Sequence, residues 1–284
     1  MNLLNQTKQT LRKYGLRLRK GLGQNLLIDD DVLEKIVEAA SLTKDDLVLE
    51  IGPGLGVLTK RLASLASKVI AVEIDSALVG LLGRELRDCK NVEIIEADIL
   101  KTDLSKLLPP SSPKLKVVAN LPYYITTPVI IHLLEKRDLL ENMIIMIQKE
   151  VGERIIASPG GKDYGSLSIL VQYYAIPELI TPVSSSSFIP RPKVDSSVIK
   201  LKIADAPRVK VDDEKLFFRV VRGAFGKRRK MLPNALSGAG FDKEKIVDLL
   251  SRMGLDPKQR GETLSIREFA ALSNLLSPIA DQET

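Results

Sequence analysis

Asn120-Leu121-Pro122-Tyr123 is the stretch of this 284-residue chain best equipped for chemistry. It follows the apolar run Val117-Val118-Ala119, which reads as a buried strand, so it lies where that strand ends. Open α/β sheets bind ligands at the carboxyl ends of their strands. The Asn120 side-chain oxygen and the Leu121 carbonyl could together accept both hydrogens of an exocyclic amine, and Tyr123 offers a flat face for a ring. That set suits an amine on a planar base. The competing reading is a plain strand-to-helix turn, which Asn and Pro often mark.

The elements that must position these groups alternate. Asp29-Asp30-Asp31 stand before Val32, Leu33, Ile36, Val37 and Ala40, one helical face with acids at its positive end. Leu47–Ile51 reads as a strand, followed by Gly52-Pro53-Gly54-Leu55-Gly56 and a helix begun by Leu58, Leu62 and Leu65. Val69–Val72 is a second strand ending at Glu73-Ile74-Asp75, with a helix after it. Val92–Ile95 is a third, ending at Glu96-Ala97-Asp98, and residues 117–119 form the fourth. Strands alternating with helices predict an α/β fold with a mostly parallel, doubly wound sheet. Val198–Ile203 reads as its final strand.

Glycines 52 and 54 let the backbone approach a ligand at a helix N-terminus. Glu73 falls 19 residues after Gly54, where a carboxylate can accept from ribose hydroxyls. This much fits a nicotinamide dinucleotide as well as S-adenosylmethionine. The G-x-G-x-G spacing behind Glu50, the second acid Asp98 and the amine-gripping Asn120 favour the latter. Each acid alone would read as a helix cap or a surface charge.

Composition bounds the chemistry. Hydrophobic residues make up 44% and charged residues 27%, ordinary for a globular protein, and no apolar run is long enough to span a membrane. One cysteine, Cys89, excludes an internal disulfide or a cysteine metal cluster, and the single histidine, His132, sits in an apolar run that suggests helix packing. A metal-independent reaction is expected. Net charge is +6, unevenly spread: residues 1–20 hold Lys8, Arg12, Lys13, Arg17, Arg19 and Lys20, and the first acid is Asp29. Residues 1–20 read as a basic arm for a polyanion, with a solvated tail or an organelle address as alternatives.

After Pro207 the composition changes. Lys215, Arg219, Arg222 and Arg229 recur at helix spacing, no acid lies between residues 215 and 232, and Lys227-Arg228-Arg229-Lys230 adds a dense cluster. Phe218, Val221, Phe225 and Leu232 make the apolar side. A small helical domain over 207–284 is expected to bind RNA phosphates through Arg219, Arg222, Lys227, Arg228, Arg229 and Lys230, against the plainer reading of a solvated face. Residues 21–206 would form the nucleotide-binding domain.

The chain resembles the ribosomal RNA adenine dimethyltransferases over nearly its whole length. The resemblance rests on Gly23-Gln24-Asn25-Leu26-Leu27, residues 50–56, Glu73-Ile74-Asp75, Ala97-Asp98, Asn120-Leu121-Pro122-Tyr123-Tyr124, Gln148-Lys149-Glu150-Val151, residues 164–168 and Phe188–Ser196. It implies a Rossmann-like class I methyltransferase sheet and S-adenosylmethionine held by Asn25, Leu27, Gly52, Glu73, Asp98 and Asn120, with Gly54 in the same loop. It also implies small-subunit rRNA as substrate, dimethylated at two adjacent adenines of a 3′-terminal hairpin loop within an assembling ribosomal particle. A cytoplasmic monomer without membrane attachment is expected. On this reading Asn120 and Leu121 grip the amine, Tyr123 stacks on the base, and Phe188 is a second aromatic wall unless it is ordinary core. The rivals are a large-subunit rRNA methylase, a purely binding assembly factor or transcription factor, and a dinucleotide oxidoreductase.

Overall fold

The computed structural model describes residues 2–108 and 112–277. They divide into two compact units: the residues up to Gly152 together with Ile176–Ile203, and Glu153–Ala175 together with the residues from Ala204 onward.

The strands are β1 (Leu26–Leu27), β2 (Leu47–Ile51), β3 (Lys68–Glu73), β4 (Val92–Glu96), β5 (Leu115–Asn120), β6 (Leu140–Gln148), β7 (Ala175–Val183), β8 (Phe188–Ile189) and β9 (Ser196–Ile203). Seven of them form one sheet in the order β4-β3-β2-β5-β6-β9-β7, while β1 pairs with β8. The pairs β4–β3, β3–β2, β2–β5 and β5–β6 are parallel, and β9 runs antiparallel to β6. Every residue of β2 is buried, as a strand covered on both faces requires.

The helices of the first unit are α1 (Leu3–Lys13), α2 (Asp30–Ala40), α3 (Val57–Leu65), α4 (Ser76–Glu85) and α5 (Thr126–Glu135). Helix α2 begins where Asp29 accepts from the Val32 amide, and its buried residues are Val32, Leu33, Ile36, Val37 and Ala40, the face expected from spacing. Val32, Ile36 and Ala40 join Val48, Val118, Ile144 and Phe188 in one core cluster. Helix α6 (Lys149–Ile156) spans the division between the units.

Of residues 1–20, expected as an arm, the described residues 2–20 do not stand apart from the first unit. α1 is anchored by buried Leu3 and Thr7, and Leu11, Tyr14 and Leu16 pack against Leu55, Leu78, Leu81, Leu82 and Leu86.

The second unit holds α7 (Ser166–Tyr174), α8 (Glu214–Gly226), α9 (Leu232–Ser237), α10 (Lys243–Arg252) and α11 (Ile266–Leu276). Residues 153–175, placed by sequence within 21–206, cluster here instead. The reason is aromatic packing: Tyr173 stacks on Phe217 with centroids 5.0 Å apart, and Tyr164 meets Phe225 edge-on at 5.9 Å. The buried stripe of α8 is Phe217, Val220, Val221 and Ala224, about one position off the expected side.

Candidate active site

The sheet's order reverses at β2, which has β3 on one side and β5 on the other. Such a switch point opens a crevice at the carboxyl ends of the strands. Ile51 stands opposite Val72 and Ala119, so the glycine loop, Glu73 and Asn120 leave the sheet at one level. Gly52 and Gly54 adopt φ of 69° and 59°, conformations a side chain would strain, and a Cβ on Gly54 would meet Leu26 Cδ2 at 3.1 Å. The loop is therefore built to bring backbone close to whatever fills the crevice.

One cavity gathers nine of the ten positions expected to do chemistry or bind cofactor: Asn25, Leu27, Gly52, Gly54, Glu73, Asp98, Asn120, Leu121 and Tyr123. The tenth, Phe188, is not among its lining residues. It is 2% exposed and packed in the core cluster, opposite Leu27 in the β1–β8 pair. The expected second aromatic wall is thus core in this conformation, and Tyr124 is the other ring at the cavity.

The polar groups are fixed before any ligand arrives. Asn120 Nδ2 donates to the Asn25 carbonyl at 3.0 Å, which leaves Oδ1 to accept. The Leu121 amide donates to the Met146 carbonyl at 3.0 Å, seating the peptide that follows. Tyr123 is half-buried and its hydroxyl lies 2.7 Å from Ser196 Oγ, so the ring plane is anchored. Burial raises its phenol above the usual range and keeps it neutral.

Glu73 Oε1 accepts from the Ile74 and Asp75 amides, both at 2.9 Å, leaving capacity at Oε2. Burial nonetheless pushes its carboxyl up. Asp98 caps a short helical turn, accepting from the Leu100 amide at 3.0 Å through Oδ1, and Lys101 Nζ lies 3.8 Å from Oδ2. The capping role and the cavity position coexist.

Sequence reasoning missed several contributors. Glu50 also lines the cavity; it is 2% exposed, its Oε2 has no hydrogen-bond partner, and burial followed by repulsion from Glu73 pushes its carboxyl up to about 8. Gln24 Nε2 donates to Asp75 Oδ2 at 2.9 Å, and Arg19 Nε lies 3.5 Å from the same oxygen. Leu3 and Thr7 close part of the cavity wall. Gln24 and Asp75 sat inside the quoted motifs; nothing local marked Leu3 or Thr7.

The six cations expected on the helical unit do different jobs. Arg222, Arg229 and Lys230 are exposed. Arg219 donates to the Ala239 carbonyl at 3.2 Å and lies 4.6 Å from the Phe241 ring centroid. Lys227 packs beside Gly238. Arg228 donates to the carbonyls of Lys162 and Tyr164 at 2.5 and 3.2 Å, and it lies 3.5 Å from Glu262, so it ties the 162–164 loop down. Helix α8 ends at Gly226, placing residues 227–230 in the turn beyond it rather than on the expected helical face.

Comparison with known proteins gives consistent results. The family described as Ribosomal RNA adenine dimethylase matches residues 15–277. The ribosomal RNA small subunit methyltransferase A of Clostridium botulinum (strain Langeland) is 50% identical over 273 residues, covering 96% of this chain and 99% of that one. Its counterpart from Alkaliphilus oremlandii is 48% identical over 276 residues, covering 96% of each. Among solved structures, a dimethyladenosine transferase from Plasmodium falciparum superposes with a TM-score of 0.74 at 30% identity, covering 87% of this chain and 95% of that one. The 23S rRNA methyltransferase ErmE gives 0.70 at 26%, covering 89% and 99%.

Proposed function

Because this chain belongs to the ribosomal RNA adenine dimethylase family, we propose that Asn120 Oδ1 and the Leu121 carbonyl grip the target adenine amine while Tyr123 stacks on its ring. The chain is an S-adenosylmethionine-dependent methyltransferase with the class I sheet, and it dimethylates adenines of 16S small-subunit rRNA. The observation that carries the residue assignment is the Asn120–Asn25 hydrogen bond, which spends the donor end of the amide and presents the acceptor end.

The cavity suits the cofactor's polar groups. In this reading Glu73 accepts from ribose hydroxyls and Asp98 from the adenine amino group; both line the cavity, and glycines 52 and 54 admit the backbone approach. S-Adenosylmethionine supplies a methyl group on a sulfonium, an electrophile open to in-line attack.

An adenine amine is a poor nucleophile because its lone pair is delocalised into the ring. The chain offers no strong base at Asn120. It offers two oxygens whose dipoles favour a tetrahedral nitrogen bearing developing positive charge. Alignment supplies much of the remaining acceleration. A stacked base cannot reach the cavity, so the adenine must be looped or flipped out.

The finer assignments are part of this proposal. The targets are two adjacent adenines of a hairpin loop near the 3′ end, methylated within an assembling small ribosomal particle by a monomer. Arg222, Arg229 and Lys230, with Lys227, supply the exposed cations of the helical unit for RNA phosphates. Among the described residues no helix is long and apolar enough to cross a membrane, and a cytoplasmic site fits an rRNA substrate.

The experiment is methyl transfer from labelled S-adenosylmethionine to unmodified small ribosomal particles, large particles and a DNA duplex, followed by nucleoside analysis. Dimethyladenine from small particles alone supports the reading. Label in large particles would move the target, and no label anywhere would overturn it.

A further inference from the structure

Six tyrosines and six phenylalanines supply the aromatic rings of this chain, and among the described residues Tyr124 is the only exposed one, at 57%. A single apolar group at a surface is common, but this one lines the cavity that holds Asn120 and Tyr123. It directly follows Tyr123 in a short 3₁₀ turn over Tyr123–Ile125. With three residues per turn, neighbouring side chains point about 120° apart. Tyr123 is half-buried and held at Ser196, while Tyr124 is turned out to solvent at the rim.

The outer ring has a fixed seat. Gly23 adopts a φ of 61°, and a Cβ there would come within 3.3 Å of both Tyr124 Cδ1 and Pro122 Cβ. Bare backbone thus lies against one edge of the ring, and the rest of it stays open.

Moving one adenine into the cavity takes it out of its stack, so the next base in the strand loses a neighbour. Unpaired bases stack on aromatic side chains largely without regard to sequence. Rings on adjacent residues, whose Cα atoms lie about 3.8 Å apart, are spaced for neighbouring nucleotides rather than distant ones.

We propose that the open face of Tyr124 stacks on the unpaired base adjoining the adenine held by Asn120 and Tyr123. The proposal rests on the reading above that the targets are two adjacent adenines, so the adjoining base is the other target. Tyr124 replaces the stack that flipping removes and holds the strand at the rim while the amine is gripped.

The test is a cycle that removes the ring and the base separately and together. Small ribosomal particles are rebuilt with rRNA in which one of the two adenines is an abasic nucleotide and the other remains as target, and both placements are made. Transfer to each adenine, in these and in intact particles, is followed by primer extension for the wild type, Tyr124→Ala and Tyr124→Phe. Binding of S-adenosylmethionine without RNA is measured by equilibrium dialysis. On intact particles Tyr124→Ala should lower kcat/KM by about tenfold or more, the share of one stacked base, and Tyr124→Phe should stay near the wild type. In one of the two placements the abasic nucleotide should cost the wild type a similar factor and cost Tyr124→Ala nothing further. Losses that multiply in both placements would overturn the proposal. So would wild-type kcat/KM in Tyr124→Ala, an equal loss in Tyr124→Phe, or weaker cofactor binding by Tyr124→Ala without RNA, which would put the ring on the cofactor. Transfer by the wild type to intact particles tests the substrate reading separately. Its absence would sink that reading, whereas its presence beside multiplying losses would sink only the role of Tyr124.

Discussion

Asn120 at the end of β5 and Asn25 before β1, 95 residues apart, are joined by a 3.0 Å hydrogen bond from side-chain amide to backbone oxygen. The bond fixes which end of the Asn120 amide faces away from Asn25. It also ties the Gly23–Leu27 segment, which lines the cavity, to the end of β5. Two sequence motifs that look independent thus share one hydrogen bond.

On the proposed mechanism, Asn120→Ala removes an acceptor aimed at charge that develops during transfer. Methyl transfer should fall by about a hundredfold or more, the usual loss for one preorganised dipole. Binding of S-adenosylmethionine should change only slightly, through the lost tie to Asn25. Single-turnover transfer and equilibrium dialysis separate the two effects. Near wild-type turnover would sink the mechanism.

Glu50 gives a pH prediction. Its folded carboxyl, near 8, lies far above the ordinary value of 4.5. Between those two values the folded chain holds a proton that the unfolded chain has released. Stability from this group is full below about pH 4.5 and is lost as pH rises toward 8. Glu50→Gln removes that loss, so the variant should gain on the wild type by on the order of 1 kcal/mol per pH unit across the window. Thermal unfolding of both proteins from pH 5 to 8 checks this: the Tm gap should widen with pH, and a constant gap would refute it.

Glu85 behaves oppositely. Hydrogen bonds from Lys13 and Tyr14 hold its carboxyl down at about 2. The interaction is present above the ordinary carboxylate range and fades as pH falls through the folded value. Its cationic partners Lys13 and Lys60 are solvent-exposed, so Glu85→Gln should barely alter global stability. Tryptic cleavage at Arg12 and Lys13 should become faster at neutral pH, because the tether of α1 is gone. Equal cleavage rates would show that apolar packing alone holds the helix.

Phe188 separates packing from catalysis. Its burial predicts that Phe188→Ala costs about 3 kcal/mol in denaturant unfolding. Phe188→Leu should recover most of that stability. If the ring also walls the flipped base after rearrangement, the Leu variant will remain poor in kcat/KM despite folding well. Full activity in Phe188→Leu would leave Tyr123 and Tyr124 as the working rings.

Arg222 and Arg228 are both exposed cations of one unit, yet their substitutions should differ. Arg222→Glu should weaken RNA binding and flatten its salt dependence without affecting Tm. Arg228→Glu should lower Tm, because the carbonyls of Lys162 and Tyr164 lose their donor. Identical profiles for the two variants would contradict this division of labour.

The sequence made strands β2 to β5 legible because each is an apolar run closed by a turn or an acid, and the cavity residues sit at those closures. It hid β6, since no glycine or proline separates Leu133-Leu134 from Met143–Ile147, and it hid β7, whose Pro177 and Pro182 argue against a strand. Most of the expected residues that line the cavity follow strands. Phe188 stayed open between wall and core, because its motif says nothing of which way the ring turns. The ties of Arg228 to the 162–164 loop were hidden, because composition counts a cation but not the carbonyls beside it. Glu50 was passed over because its unpartnered oxygen is a fact of three-dimensional enclosure.

The short β1–β8 pair has a consequence for biosynthesis. Leu26 and Leu27, which line the cavity, are held by Ile189 and Phe188. A nascent chain has made the glycine loop, Glu73, Asp98 and Asn120 long before residue 189 emerges from the ribosome. Until then the wall beside Gly54 lacks its second strand. Synthesis is vectorial and long-range pairing waits for its partner. The chain therefore completes this cavity wall only after residue 189 has been translated.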